Sequence, residues 1–134
     1  MDKMKNSTGI NGFGRFGLHL IKYWLDRSNE SNFTIDFIND DSLTIDEAFK
    51  IINSDKAVIF NKYKIKKIDN IIRFISSDGK VHEIQYTKNS KDNVAWIGKP
   101  DIFLECSGKN VIKSDCEEFL TGNTKTVVIS ATSW

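Results

Sequence analysis

The stretch GINGFGRFG, residues 9–17, places four glycines directly before LHLIKYWLD, residues 18–26. Apolar side chains recur at helical spacing through this part of the chain, at Phe13, Phe16, Leu20, Ile21 and Trp24. The period predicts a helix from about Gly14 to Asp26 with one apolar face. Because glycine has no side chain, the main chain at the start of this helix is bare and open to close approach.

Three of these glycines, Gly12, Gly14 and Gly17, have the spacing G-x-G-x-x-G. In that pattern the first glycine permits a tight turn, the second lets a pyrophosphate approach the backbone, and the third lets the helix pack on a sheet. The helix N-terminus adds free N–H groups and about half a positive charge. The pattern predicts a turn that binds a dinucleotide, and a glycine-rich turn that only packs is the alternative.

An acidic residue stands where the dinucleotide pattern expects one. Asp40 directly follows the segment FTIDFIN, residues 33–39, whose alternation indicates a strand. A carboxylate there would accept hydrogen bonds from ribose hydroxyls and repel a 2′-phosphate, which favours NAD over NADP. Asp41 adds a second negative charge, and the alternative for Asp40 is a plain turn residue.

The remaining segments alternate between strand and helix signals. Thr44 and Glu47 have capping-box spacing at the start of a second helix, as do Ser114 and Glu117 before a third, which Gly122 would end. Strand signals follow in the segments YKIKKI (63–68), IIRFIS (71–76), VHEIQY (81–86), DIFLEC (101–106) and TVVIS (126–130). This order predicts one α/β domain over residues 1–134, a Rossmann-type doubly wound, mostly parallel sheet with a small antiparallel β insertion.

Composition excludes several classes of function. The chain has 134 residues, of which 40% are hydrophobic and 28% charged, and its net charge is +1. The near-neutral charge argues against a nucleic-acid partner, and the sequence contains neither a secretory signal nor an apolar run of membrane-spanning length. With only two cysteines, a reducing cytoplasmic location is expected.

Four segments occur in a specific order: GINGFGRFG, then FIND (37–40), then WIG (96–98) with DIFLECSG (101–108), then TKTVVISATS (124–133). They resemble the G-[IV]-N-G-F-G-R-I-G signature, the second-strand end, the W-G and V-x-E-[SC]-[TS]-G segments, and the K-x-V-[IV]-I-S-A-P-S segment of the glyceraldehyde-3-phosphate dehydrogenase family. Together they extend over nearly the whole chain. The resemblance implies a NAD-binding domain of a glycolytic oxidoreductase.

The resemblance also implies roles for individual residues. Arg15 and Phe16 match a pair whose backbone meets the pyrophosphate, and Lys88 lies near a family arginine beside the adenine if one gap is allowed. The full set implied to bind NAD is Asn11, Gly12, Gly14, Arg15, Phe16, Gly17, Asp40, Lys88, Ser107, Gly108 and Ser130. No metal site is implied.

The family's catalytic cysteine and histidine would come after Trp134. Cys106 and Cys116 have no histidine at a readable spacing, so both are expected to be inert, as are His19 and His82. The chain is therefore expected to be a NAD-binding domain that is truncated before the catalytic cysteine and inactive by itself. Two alternatives stay open: a split subunit completed in trans by a catalytic half, and a non-catalytic module that binds a full-length relative or RNA. The family also implies a homo-oligomer.

Two departures from the family concern the sheet. Asn6, Ser7 and Thr8 stand in the first strand where relatives carry aliphatic residues, which predicts a loss of several kcal/mol from buried polar groups. The family's last sheet strand and its docking C-terminal helix have no counterpart, so the sheet is expected to be incomplete at its C-terminal edge.

Overall fold

The computed structural model describes residues 5–90, 93–107 and 116–130. Seven strands and two helices occur in these ranges. The elements are β1 (Asn6–Asn11), α1 (Arg15–Asp26), β2 (Phe33–Asn39), α2 (Ile45–Ser54), β3 (Tyr63–Ile68), β4 (Ile71–Ser76), β5 (Val81–Thr87), β6 (Ile102–Glu105) and β7 (Thr126–Ile129). A short 3₁₀ turn, Glu117–Phe119, precedes β7.

All seven strands form one sheet in the order β3-β4-β5-β2-β1-β6-β7. The pairings of β1 with β2 and β6, of β2 with β5, and of β6 with β7 are parallel. The pairings of β3 with β4 and of β4 with β5 are antiparallel. The sequence predicted this mostly parallel, Rossmann-like α/β sheet with an antiparallel insertion, and the prediction is confirmed. The antiparallel insertion belongs to the same sheet as the parallel strands, because β5 pairs with both β4 and β2.

Strand β1 lies at the point where the direction of strand succession reverses. The chain continues from β1 to β2 on one side and later returns to place β6 on the other. In such sheets a crevice opens beyond the carboxyl ends of the strands at this reversal. The residues that follow Asn11 and Glu105 therefore lie at the position of that crevice.

The apolar face of α1 differs from the predicted one. The buried residues are Gly17, Leu18, Ile21, Trp24 and Leu25. Phe16 is 54% exposed, and Phe13 lies in the turn before the helix, where its ring meets the ring of Tyr86 edge to face. The prediction is confirmed for Ile21 and Trp24 but wrong for Phe16, because the buried side of α1 passes through Leu18, Ile21 and Leu25 and leaves Phe16 on the exposed side. The N-terminus of α2 follows the prediction, since Thr44 Oγ1 accepts from Glu47 N and Glu47 Oε1 accepts from Thr44 N, both at 3.1 Å.

The third predicted helix is only partly within the described residues. Ser114, its predicted cap, lies outside them, and the described part forms the 3₁₀ turn. Gly122 ends that region with a φ of +56°, as a residue after a helix end often does. Phe119 from this turn stacks on Phe103 at 4.2 Å between ring centroids and so covers the sheet face opposite α1 and α2.

The polar residues of β1 meet different surroundings. Asn6 is exposed. Ser7 donates from its main chain to Asp101 at 2.8 Å and from its hydroxyl to Asp36 at 2.5 Å. Thr8 is only 2% exposed, and its hydroxyl has no hydrogen-bond partner among the described residues. The predicted loss of stability therefore concerns Thr8 and not all three residues.

Candidate functional site

Gly12 follows β1 directly and has a conformation that requires glycine. Its φ is +110°, and a Cβ at this position would lie 2.6 Å from Ser107 N. The Gly12 N–H also donates to Asn39 O at 2.6 Å. The turn after β1 is thus pressed against the segment after β6, and a side chain would separate them.

Gly14 and Gly17 are glycine for different reasons. Gly14 is the N-cap residue of α1, has no side-chain cap, and a Cβ there would meet nothing within 4 Å. The bare main chain at the start of α1 consequently faces open space. A Cβ on Gly17 would lie 3.2 Å from Gly12 O, so Gly17 lets α1 pack closely on the turn.

Asp40 lies beside this turn and is 8% exposed as a residue. Oδ1 accepts from Ser42 N, Ser42 Oγ and Leu43 N at 2.9–3.1 Å, and Oδ2 accepts from Phe13 N at 2.8 Å. Burial alone raises the pKa of Asp40, but hydrogen bonds from the N–H groups of Ser42, Leu43 and Phe13 outweigh it and hold the pKa below its ordinary value. A carboxylate oxygen can accept about two hydrogen bonds, so Oδ2 retains a position for one more donor.

An open cavity of about 370 Å³ lies between the glycine turn and Asp40. Among the predicted site residues, those that line it are Asn11, Gly12, Gly14, Asp40 and Ser107. Asp41, Ser42 and Cys106 complete its polar lining. Two carboxylates on one side and an uncapped helix N-terminus on the other would suit a ligand that has hydroxyl groups at one end and an anionic group at the other.

The other predicted site residues that the structure describes do not line this cavity. Arg15 forms an exposed ion pair with Asp55, and this hydrogen bond lowers the pKa of Asp55 to about 2. Phe16 is exposed at the start of α1, and Lys88 is exposed directly after β5. Ser130 donates from its N–H and hydroxyl to Glu105 O at 3.0 and 3.3 Å. Gly108 lies outside the described residues.

A row of polar side chains, buried except for the half-buried Thr87, lies beside the cavity at the carboxyl ends of four strands. Asn11 Nδ2 donates to Glu105 Oε2 at 3.0 Å, and Asn39 Nδ2 donates to Asn11 Oδ1 at 3.0 Å. The Thr87 hydroxyl donates to Asn39 Oδ1 at 2.7 Å, and Trp96 Nε1 donates to the Thr87 hydroxyl at 3.2 Å. We call Glu105, Asn11, Asn39 and Thr87 the polar row. Its members end β6, β1, β2 and β5 and are register partners in the sheet.

Sequence reasoning identified only Asn11 of the polar row. Each of the other three residues is a polar residue at the end of an apolar strand, which is also typical of an ordinary strand end. They could have been found by aligning the four strands at their carboxyl ends. Polar residues at matching register positions of adjacent strands are neighbours in the sheet.

Neither cysteine has the surroundings of a reactive thiol. Burial raises the pKa of Cys106, and Cys116 is 4% exposed. A catalytic thiol needs a lowered pKa instead. In the described ranges no three His, Cys, Asp or Glu residues are grouped so that they could hold a metal ion, and no helix there is long and apolar enough to cross a membrane.

Comparison with known proteins gives a consistent result. Two proteins of Caenorhabditis elegans, glyceraldehyde-3-phosphate dehydrogenases 1 and 4, are each 29% identical to the chain over 133 residues, which is 96% of this chain and 38% of each relative. The chloroplastic glyceraldehyde-3-phosphate dehydrogenase A of Zea mays is 28% identical over 130 residues, 95% of this chain and 31% of that protein. No family model matches the chain. The chain thus spans about a third of the length of these relatives and is similar to the N-terminal region of glyceraldehyde-3-phosphate dehydrogenases.

Proposed function

We propose that this chain is a NAD-binding domain of a glyceraldehyde-3-phosphate dehydrogenase-like protein. The observation that carries the proposal is the bare main chain at Gly14, which faces an open cavity with Asp40 on its other side. In a turn that served only for packing, neighbouring atoms would occupy the space around the Cβ position of each glycine, as they do at Gly12 and Gly17. The similarity to the N-terminal region of three dehydrogenases supports the same reading.

Each part of the cavity has a proposed role. The N–H groups at the start of α1 would hold the diphosphate, since they lack a side-chain cap and carry the positive end of the helix dipole. Asp40 Oδ2 would accept a hydrogen bond from the adenosine ribose. Asp41 adds negative charge to the cavity wall, which disfavours a 2′-phosphate and so selects NAD over NADP. Bound NAD supplies a hydride acceptor, whereas the residues of this chain bind and orient it.

The chain by itself is proposed to bind NAD without oxidising a substrate. Of the candidate nucleophiles, Cys106 has its pKa raised by burial and Cys116 is buried. We therefore propose that dehydrogenase activity requires an assembly of this chain with a second polypeptide. We place the protein in the cytoplasm, as expected for a glycolytic enzyme.

Calorimetric titration with NAD⁺ and NADP⁺ tests this function. We expect binding of NAD⁺ and at least roughly tenfold weaker binding of NADP⁺. Gly14→Ala is the decisive variant, because its φ of −110° suits alanine and the methyl group would project into the open space. This variant should keep its melting temperature and lose roughly tenfold in NAD⁺ affinity. Unchanged affinity in Gly14→Ala, or no heat from the unaltered protein at millimolar NAD⁺, would contradict the proposal.

A second proposal concerns the partner. β7 pairs with one strand among the described residues, and Val128 and Leu120 are 44% and 50% exposed. An apolar cavity of about 310 Å³ runs beside them, lined by Cys116, Leu120, Val127 and Ile129 among others. An unprotected strand edge pairs readily with another extended segment. We propose that this edge joins a polypeptide that resembles the catalytic half of the relatives.

Mixing with a separately expressed catalytic half of such a dehydrogenase tests the second proposal. Co-elution and the appearance of NAD-dependent activity are expected, and Val128→Lys should prevent both by placing a charge on the edge. Light scattering of the chain alone measures the competing homo-oligomer. Separate elution of the two polypeptides, with no activity, would exclude completion in trans.

A further inference from the structure

We propose that Glu105 is a positioning residue whose carboxylate sets the direction of every hydrogen bond in the polar row and thereby holds in place two segments that line the dinucleotide cavity, the glycine turn and the segment after β6. The proposal rests on the proposed NAD-binding function. It assigns to Glu105 a role in ligand affinity although its side chain is fully buried beside the cavity.

The carboxylate fixes the orientation of the first amide. Both carboxyl oxygens of Glu105 accept hydrogen bonds, Oε1 from Ser107 and Oε2 from Asn11, so Asn11 turns its NH₂ group toward Glu105 Oε2. The Asn11 carbonyl oxygen then faces Asn39, which must turn its own NH₂ group toward it. The orientation of Asn39 is thus determined two residues away from the carboxylate.

The opposite end of the row demands the same orientation. Asn39 Oδ1 accepts from the Thr87 hydroxyl at 2.7 Å and from Asn89 N at 2.9 Å. The backbone N–H of Asn89 can only donate, and the Thr87 hydroxyl accepts from Trp96 Nε1 while its own hydrogen points to Asn39 Oδ1. An acceptor at one end and a donor at the other therefore define a single direction along the row, and reversing one amide would oppose two donors or two acceptors.

The polar row is connected to two segments that line the cavity. Glu105 Oε1 accepts from Ser107 N at 2.9 Å and from the Ser107 hydroxyl, which holds the segment after β6. In the glycine turn, Gly12 N donates to Asn39 O at 2.6 Å, and Cys106 N donates to Asn11 O at 2.8 Å. These are the two segments whose backbones nearly touch at Gly12 and Ser107. A change in the direction of the row should therefore displace the surfaces that meet the ligand.

Glu105→Gln tests the role of the charge without changing the size of the side chain. If the introduced carbonyl keeps its bonds to Ser107, the introduced NH₂ group faces the NH₂ group of Asn11, and two donors oppose each other. We expect roughly tenfold weaker NAD⁺ binding in calorimetry and a lowered melting temperature. Glu30→Gln, the same change at an exposed residue, is the matched control and should alter neither measurement.

The decisive variant is the double exchange Glu105→Gln with Asn11→Asp. Asn11→Asp alone places two carboxylates side by side in the core and should be the most damaged protein. In the double variant the introduced carboxylate at position 11 accepts from the introduced amide at position 105 and from Asn39, so every hydrogen bond regains a donor and an acceptor. Affinity should return to within about threefold of the unaltered protein.

Each outcome decides between the alternatives. If Asn11→Asp does not fold but the double variant does, the rescue itself supports the proposal. The proposal is overturned if the double variant has no higher affinity and melting temperature than the better of the two single variants. It is also overturned if Glu105→Gln behaves like the unaltered protein. If the unaltered protein does not bind NAD⁺, the proposed function fails, and the positioning role in NAD affinity fails with it. The melting temperatures of the four proteins then still report whether the row has a fixed direction.

Discussion

The two ends of β1 differ in whether their buried polar side chains have hydrogen-bond partners. At the carboxyl end, Asn11 shares hydrogen bonds with Glu105 and Asn39 and supports the cavity. Toward the amino end, Thr8 is equally buried, yet its hydroxyl has no partner among the described residues. A buried polar group costs free energy unless it is paired, so the two ends differ in stability and not only in function. A buried polar side chain of β1 is paired only where the strand register places a complementary polar group opposite it in the adjacent strand.

The largest effect is expected from the centre of the polar row. Asn39→Ala would remove a side chain that makes four hydrogen bonds, to Asn11, Thr87 and both backbone groups of Asn89. Several buried groups would lose their partners, which should lower the free energy of unfolding by about 3–5 kcal/mol. Urea denaturation followed by circular dichroism measures this loss.

Asn61→Ala is the control for this change, because Asn61 is exposed on the surface. It should lower the free energy of unfolding by no more than about 0.5 kcal/mol. A loss below about 1 kcal/mol in Asn39→Ala would show that the row is not a unit of stability.

Gly12 tests the backbone contact that closes the carboxyl end. Gly12→Ala combines an unfavourable positive φ with a Cβ that would lie 2.6 Å from Ser107 N, and we expect a loss of about 3 kcal/mol. Gly79→Ala is matched to it, since Gly79 also has a positive φ, +89°, but open space around its Cβ position. The control should lose about 1 kcal/mol, and equal losses in the two variants would mean that the contact with Ser107 contributes nothing.

At the amino end the same logic predicts a gain. Thr8→Val keeps the shape of the side chain and removes the unpaired hydroxyl, so stability should rise by about 1–2 kcal/mol. Thr124→Val is the control, because Thr124 is also buried but its hydroxyl donates to Pro100 O at 2.6 Å. The control should lose stability. A loss in both variants, measured by thermal and urea unfolding, would show that Thr8 is paired after all.

These contrasts also mark the limit of the sequence as a guide. Local signals predicted the elements well, because α1, the capping box of α2 and the β3–β4 hairpin each depend on residues close in sequence. The register between strands that are distant in sequence was not predictable. β2 contains one residue more than β1 between two register pairs, since Thr8 pairs with Ile35 and Gly9 with Phe37. No local pattern announces such a bulge, although it decides which residues meet at the carboxyl ends.

Gly9, the fourth glycine of residues 9–17, is a second feature that depends on residues distant in sequence. Gly9 has no place in the G-x-G-x-x-G pattern, and the sequence suggests no reason for it. A Cβ there would lie 2.4 Å from the ring of Trp96, which packs across β1 from a turn far along the chain. Trp96 in turn stacks on Phe37 and donates to the polar row through Thr87. The requirement for glycine at this position arises from the tertiary packing of an aromatic ring.

The smallest effect should come from the charge pair outside the polar row. Asp55→Asn removes the ion pair with Arg15 but keeps an oxygen for the N–H groups of Ala57 and Val58. Because the pair is exposed to solvent, the melting temperature should fall only slightly near neutral pH and less at high salt. The pKa of Asp55 is lowered to about 2 in the folded protein, so its contribution is present above the ordinary aspartate pKa and is lost as the pH falls toward 2. The melting curves of the two proteins should therefore converge between about pH 4 and pH 2. A difference that persists at pH 2, or one as large as that of Asn39→Ala, would mean that this surface pair carries stability which we assign to the buried row.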